Sequence, residues 1–200
     1  MSQFGDLLSR SVAPFLTISD SHLVMLEQHW ELLKSWNRRL NLTAITKEEE
    51  AVTRHYAESL FAGVQLPVGE LKIADIGSGA GFPGVPIAVV RPECRVTLVE
   101  SAQRKAVFLR EATRGMSNVE VLCARAEQLK SGYDWLVSRA VRPTDVLRLA
   151  RRLGSGVALL VRTKNADYLK GEVCPECTVA PLPWDPGNCV LLVHQVSRGT

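Results

Sequence analysis

No stretch of this chain approaches the ~18 consecutive apolar residues of a membrane-spanning helix. The opening residues, MSQFGDLLSRSVAPFL, lack the basic start and long apolar run of a secretory signal, so none is expected. Charge of one sign is scarce as well: 24 Lys and Arg against 21 Asp and Glu leave a net charge of +3. Composition alone therefore does not imply nucleic acid. The five cysteines are odd in number and scattered, which argues against a disulfide framework and for a reducing compartment, expected to be the cytoplasm. Internal repeats and low-complexity segments are absent. What remains is a chain of 200 residues, 46% hydrophobic, enough for one domain with a real core, or a domain plus a small extension.

The chain is organised around residues 71–84, LKIADIGSGAGFPG. An apolar run of the kind that forms a buried parallel strand stops at Gly77. Glycines follow at 77, 79, 81 and 84, with prolines at 83 and 86. A second apolar run, VTLV, ends in Glu100, about 20 residues beyond the loop, where a carboxylate at a strand tip reaches ribose hydroxyls. An ordinary tight turn, with Glu100 capping the next helix, explains any one of these features but not all of them together. Residues 79–84 formally fit G-x-G-x-x-G, so NAD is a candidate ligand. That match begins three residues past the strand end, whereas the dinucleotide pattern begins directly after it. Read from the strand end, Asp75-x-Gly77-x-Gly79-x-Gly81 resembles the S-adenosylmethionine (SAM) loop of Rossmann-like methyltransferases.

Before this loop the chain reads as helical. Residues 1–18 are amphipathic without a defined element. Ser19 is an N-cap for a helix with Leu23, Leu26, Trp30 and Leu33 on one stripe, fraying into Asn41-Leu42-Thr43. Thr46 and Glu49 form a capping box for a second helix over residues 47–62, stopped by Gly63. From residue 71 strand-like runs (71–76, 95–99, 119–123, 134–138, 157–162) alternate with helix-like stretches (84–90, 102–115, 127–130, 144–152), and Ser101 can cap the second of these. Such alternation means a parallel sheet with helices on both faces. After Arg162 it ends; runs 173–180 and 189–196, around Pro181, Pro183, Pro186 and Gly187, read as a terminal hairpin. The expected architecture is α/β: a seven-stranded, mostly parallel sheet (residues 67–200) with an N-terminal helical extension (residues 1–66), packed as one unit. Cys174-Pro-Glu-Cys177, Cys189 and His194 have the donor types of a Cys3His metal set. A single CxxC is a weak pattern and its flanks read as strands, so no metal is expected.

The chain resembles the small-subunit (16S) ribosomal RNA guanine-N7 methyltransferases, the glucose-inhibited division protein B family. The resemblance rests on an ordered set: Trp36-Asn37 with Asn41-Leu42-Thr43; Arg54-His55 with Ser59; DIGSGAGFPGVP; Leu98-Val99-Glu100-Ser101; Arg104-Lys105 with Phe108-Leu109; Arg125-Ala126-Glu127; and Ser138-Arg139-Ala140. It implies SAM as cofactor and small-subunit ribosomal RNA, free or in the subunit, as partner. It implies that Gly77, Ser78, Gly79 and Gly81 approach the methionine moiety, that Phe82 lies beside the cofactor and that Glu100 holds the ribose. Ala126 and Glu127 then contact the adenine, and Arg139 borders cofactor and substrate. The sequence departs from the family pattern at Glu58, where aspartate is usual, at Arg162-Thr163, and at Asn188 and His194.

Guanine N7 carries a free lone pair, so it can take a methyl group without losing a proton, and no general base is required. Positioning in a water-poor pocket is the expected source of rate. Phosphate contacts should hold the RNA. The interval with Arg139, Arg142, Arg148, Arg151, Arg152, Arg162 and Lys164 contains one acid, Asp145. Arg142, Arg162 and Lys164 are the RNA-binding candidates there, while a solvated helix face also explains Arg148, Arg151 and Arg152. Arg54 and His55 are assigned RNA or packing roles.

Overall fold

Two serine caps start the N-terminal helices. Ser2 Oγ accepts from the Gly5 amide and begins α1 (Gln3–Val12), an element that the sequence reading left undefined. Its Phe4, Leu8 and Val12 are buried at helical spacing. Ser19 caps α2 (Asp20–Leu40) as expected. The structure is a computed structural model that describes residues 2–153, 155–172, 174 and 176–194.

Helix α2 does not fray. Asn41 takes a left-handed φ of 48°, a conformation that asparagine tolerates. The Asn37 side chain then donates to the Thr43 carbonyl and accepts from the Thr43 amide, both at 2.9 Å. A continuous helical segment follows: α3 (Glu48–Ala51), a π-helical stretch (Val52–Ala57) and α4 (Glu58–Val64). The expected capping box is not formed. Lys47 occupies the N-cap without a side-chain bond, and Glu48 instead accepts from the Trp30 indole at 3.1 Å. Nor does Gly63 stop the helix. It lies inside α4, where an added Cβ would sit 3.2 Å from the Ile87 side chain, so its role is close packing.

The sheet contains β1 (Lys72–Ile76), β2 (Arg95–Glu100), β3 (Val119–Cys123), β4 (Trp135–Arg139), β5 (Gly156–Arg162), β6 (Thr178–Leu182) and β7 (Asp185–Val193). Their order is β3-β2-β1-β4-β5-β7-β6. The first five strands are parallel and β7 runs antiparallel to β5. This differs from the dinucleotide order 3-2-1-4-5-6 in its reversed β7. The hairpin is tighter than expected: the chain turns at Pro183 and Trp184, Pro181 lies within β6, and Pro186 and Gly187 lie within β7. Residues 173, 175, 195 and 196 of the expected runs lie outside the described residues. The alternation does not end at Arg162 either, because α8 (Thr163–Glu172) follows β5.

Strand periodicity sends alternate side chains to opposite faces. Ile73, Leu98, Val137 and Leu160 share one cluster with α1, α2, α4, α5 (Gly84–Val90) and α6 (Gln103–Ala112). Buried residues on both sides of position 66 therefore belong to a single core. Ala74, Val99, Leu136 and Leu159 form the second cluster with α7 (Pro143–Leu153) and α8. Cys174, Cys177 and Cys189 are buried in this second cluster, whereas His194 sits on the opposite face, against Trp135. Helix α6 starts after Ala102, not on a Ser101 cap; the Ala102 amide bonds Glu100 Oε1 at 2.8 Å.

Gly84 is the tightest point of the frame around the loop. A Cβ there would lie 2.4 Å from Leu98 Cδ2 and 2.7 Å from Asp75 Oδ2. Gly84→Ala is predicted to destabilise the fold by about 1–3 kcal/mol through overpacking. Urea unfolding checks it; an unchanged midpoint contradicts the tight packing.

Candidate active site

Every amide of the glycine loop that carries an assigned bond turns back into the protein. Gly77 and Ser78 amides bond the Val99 carbonyl at 2.9 and 3.1 Å, and Gly81 and Phe82 amides bond the Ser78 carbonyl at 2.7 and 3.1 Å. The Gly79 amide donates to Glu100 Oε2 at 3.0 Å. Gly77 has a φ of +72°, and a Cβ there would meet Val141 Cγ2 at 2.6 Å, so only glycine fits between this turn and the tip of β4.

The loop borders a 260 Å³ cavity beyond the carboxyl ends of β1–β4, lined by Gly77, Val99, Ala126, Glu127 and Val141 among others. It shares Ile76, Ala126, Glu127 and Val141 with a 540 Å³ cavity that extends along α7. Ligands of open parallel sheets bind at this end. Ala126 and Glu127 form a 3-10 turn (Ala126–Gln128). Arg152 fixes it, donating to the Leu129 carbonyl at 3.0 Å and the Glu127 carbonyl at 3.2 Å. Arg152 thus braces the cavity wall although it stands on an exposed face of α7.

Glu100 is buried, and its two oxygens accept from the Gly79 and Ala102 amides. Each oxygen keeps a lone pair for a further donor. Ser78 is buried and its hydroxyl donates to the Asp75 carbonyl at 3.0 Å. Phe82 turns away from the cavity into the helical extension, stacked on His55 at a centroid separation of 4.4 Å and edge-on to His29 and Tyr56. Arg139 also points to the extension: its guanidinium donates to the Arg54 carbonyl and to His55 Nδ1, and lies 3.8 Å from Glu58.

Arg54, Glu58, Arg139, Arg162 and Asn188 line a separate cleft of 230 Å³. Three of the positions that depart from the family pattern, Glu58, Arg162 and Asn188, therefore meet on one surface. Arg142 and Lys164 are exposed at the exits of β4 and β5. His55 is 7% exposed, and burial followed by Arg139 lowers its pKa to about 3. Its Nδ1 accepts from Arg139, and Nε2 pairs with Thr43 Oγ1 at 2.8 Å. Such a neutral, enclosed imidazole packs behind Arg139 and has no face for an RNA phosphate.

Two contributors were given no role by the sequence reading, which named Asp75 only as the start of the loop spacing. His29 is fully enclosed and burial lowers its pKa to about 4. The Ala80 carbonyl can only accept, so His29 Nε2 donates to it at 3.0 Å and Nδ1 accepts from the Tyr56 hydroxyl at 2.7 Å. Its position, three after Leu26 and four before Leu33, was a usable signal that it faces inward. The second, Asp75, accepts from the Gly84 amide at 3.0 Å through Oδ2. Its buried Oδ1 has no partner among the described residues. Burial raises the Asp75 pKa from 3.8 to about 7, against the pull of the Gly84 amide.

These shifts oppose each other. A raised pKa means that the folded state binds the proton more tightly, so the Asp75 contribution is complete below about 3.8 and is lost as pH rises through about 7. The two histidines contribute fully above 6.5 and lose that contribution as pH falls towards about 4 and about 3. Asp75→Asn keeps an acceptor for Gly84 but cannot ionise. Its melting temperature relative to wild type is predicted to rise between pH 5 and pH 8; parallel curves contradict the raised pKa.

Comparison with known proteins agrees with this geometry. Residues 22–170 match the family model GidB, rRNA small subunit methyltransferase G. The chain is 43% identical over 143 residues to ribosomal RNA small subunit methyltransferase G of Nitrosospira multiformis, covering 69% of this chain and 65% of that protein. It is 40% identical over 141 residues to the protein of the same name from Pelotomaculum thermopropionicum, covering 66% and 59%. The matches thus span just under two thirds of these relatives' lengths. Among solved structures, a predicted O-methyltransferase from Agrobacterium tumefaciens superimposes with a TM-score of 0.57 at 20% identity, over 70% of this chain and 81% of that one, a likeness of fold. With its glycine loop, strand-tip carboxylate and seven-stranded sheet in place, the chain belongs to the rRNA small subunit methyltransferase G family.

Proposed function

We propose that this protein transfers a methyl group from SAM to N7 of a guanine in small-subunit ribosomal RNA. The observation that carries the reading is the cavity at the strand tips, floored by Gly77 and walled by Ala126 and Glu127, in a chain of this family. The residues fit the cofactor: Gly77 lines the cavity with bare backbone that a ligand can approach closely, and Glu100 keeps lone pairs for ribose hydroxyls. Ala126 and Glu127, braced by Arg152, would border the adenine. When bound, SAM supplies an electrophilic methyl group.

The protein's own part is to position and to exclude water. Guanine N7 attacks with its lone pair and no proton leaves. The site is consistent with this economy. The His55 imidazole, which could otherwise serve as a base, has both nitrogens engaged. Arg139 holds the tip of β4 against the helical extension, between the cofactor cavity and the cleft that Arg54 and Arg162 line. Those arginines, with exposed Arg142 and Lys164, supply cationic groups for RNA phosphates. A target guanine would be read splayed out of its helix.

Incubation with labelled SAM and small ribosomal subunits from cells lacking the modification is predicted to put label in 7-methylguanosine after nucleoside digestion. Label in another nucleoside, or in protein, overturns the reading. Glu100→Ala is predicted to lower kcat/KM for SAM by about 100-fold, as loss of charged hydrogen bonds in a buried site implies, while RNA affinity stays within about twofold.

A further inference from the structure

The cleft beside Arg139 contains one acid whose carboxylate lacks a hydrogen bond. The Glu58 side chain is 6% exposed and lines the 230 Å³ cleft. Among the described residues its only polar partner is Arg139, at 3.8 Å, beyond hydrogen-bond distance. Its oxygens open onto the cleft and so remain available to donors of a ligand. Burial holds its pKa above the ordinary carboxylate range and Asp185 adds to that, while Arg139 and then Arg54 draw it part of the way back. The other polar side chains of the cleft, Arg54, Arg162 and Asn188, include two cations suited to a phosphate group.

The cleft adjoins the cofactor cavity across one short turn. Arg139 and Ala140 face the cleft, and Val141 lines the cavity against Gly77. Ala140 makes this reversal with a left-handed φ of 64°. A base in the cleft therefore lies beside the strand tip that also borders the methyl-donor site.

Resting on the function proposed above, we infer that Glu58 reads the target guanine, its carboxylate accepting from N1–H and the 2-amino group in the cleft beside Arg139. Guanine places two adjacent donors on this edge, which match two carboxylate oxygens. Adenine offers a lone pair at N1 and no donor at position 2, so it meets repulsion. Anchoring guanine by this edge leaves N7 free on the far side of the purine. Attack by N7 makes the base cationic, and the bonds to Glu58 strengthen as that charge develops. Glu58 thus contributes to the rate as well as to base choice.

The test uses small subunits reconstituted with guanine or inosine at the methylated position, mapped first with the wild-type enzyme. Inosine keeps N1–H and N7 and lacks only the 2-amino group. Wild type is expected to lose about tenfold in kcat/KM on inosine, and Glu58→Gln about 100-fold on guanine. In Glu58→Gln the guanine-to-inosine difference shrinks below about threefold, because the two changes remove the same contact. SAM affinity, a measure of an intact fold and cofactor site, stays within about twofold. A tenfold preference for guanine that survives in Glu58→Gln, or wild-type activity in that variant, overturns the inference while leaving the function standing. Should Glu58→Gln fail to fold, Glu58→Asp replaces it: retained preference for guanine supports the carboxylate contact, and equal rates on both bases overturn it. Absence of guanine methylation by the wild type overturns both readings together.

Discussion

One buried imidazole ties the crest of the glycine loop to the helical extension. His29, on α2, donates to the Ala80 carbonyl at the crest of the glycine loop and accepts from Tyr56 on the π-helical stretch. Full burial keeps it neutral, with a pKa of about 4, and neutrality is what allows one nitrogen to donate while the other accepts. The loop has few other side-chain anchors. Glu100 holds Gly79, and Asp75 holds Gly84. Take away the helical extension and the crest of the loop loses its lateral support, although the strands beneath it remain paired.

The same extension shapes the other side of the site. His55 and Phe82 stack, and His55 with the Arg54 carbonyl holds the Arg139 guanidinium. The tip of β4 thereby divides two spaces, the strand-tip cavity behind Val141 and the cleft of Glu58 and Arg162. Their electrostatics differ. The cavity mixes small and apolar groups with one arginine, Arg125, and one acid, Glu127, whereas the cleft carries three guanidinium groups around one acid.

Much of the sheet was legible in the sequence because buried parallel strands read as continuous apolar runs. Strands β1–β5 fell within a residue or two of their runs, and Gly77, Ala126 and Glu127 emerged from spacing and resemblance at the strand tips. Helix α8 was not legible, since Ala166 and Leu169 are its buried apolar residues and make a thin stripe. Helix α1 did carry a local signal, Ser2 before Phe4, Leu8 and Val12 at four-residue spacing, which the sequence reading took only as amphipathic character. The orientation of Arg139 and Phe82 towards the extension is likewise a long-range matter, set by partners more than 25 residues away. Arg152 carried no sequence signal that separates it from Arg148 and Arg151, yet its guanidinium bonds the Leu129 and Glu127 carbonyls beside the cavity.

The most direct test of this account is amide hydrogen exchange at Gly81 and Phe82 in the wild type and in His29→Phe, a variant of similar shape that cannot donate to Ala80. If the extension holds the loop, exchange at these two amides quickens about tenfold, the cost of one hydrogen bond, while amides of β4 and β5 keep their wild-type rates. Unchanged exchange at Gly81 and Phe82 would contradict the claim that the helical extension holds the glycine loop.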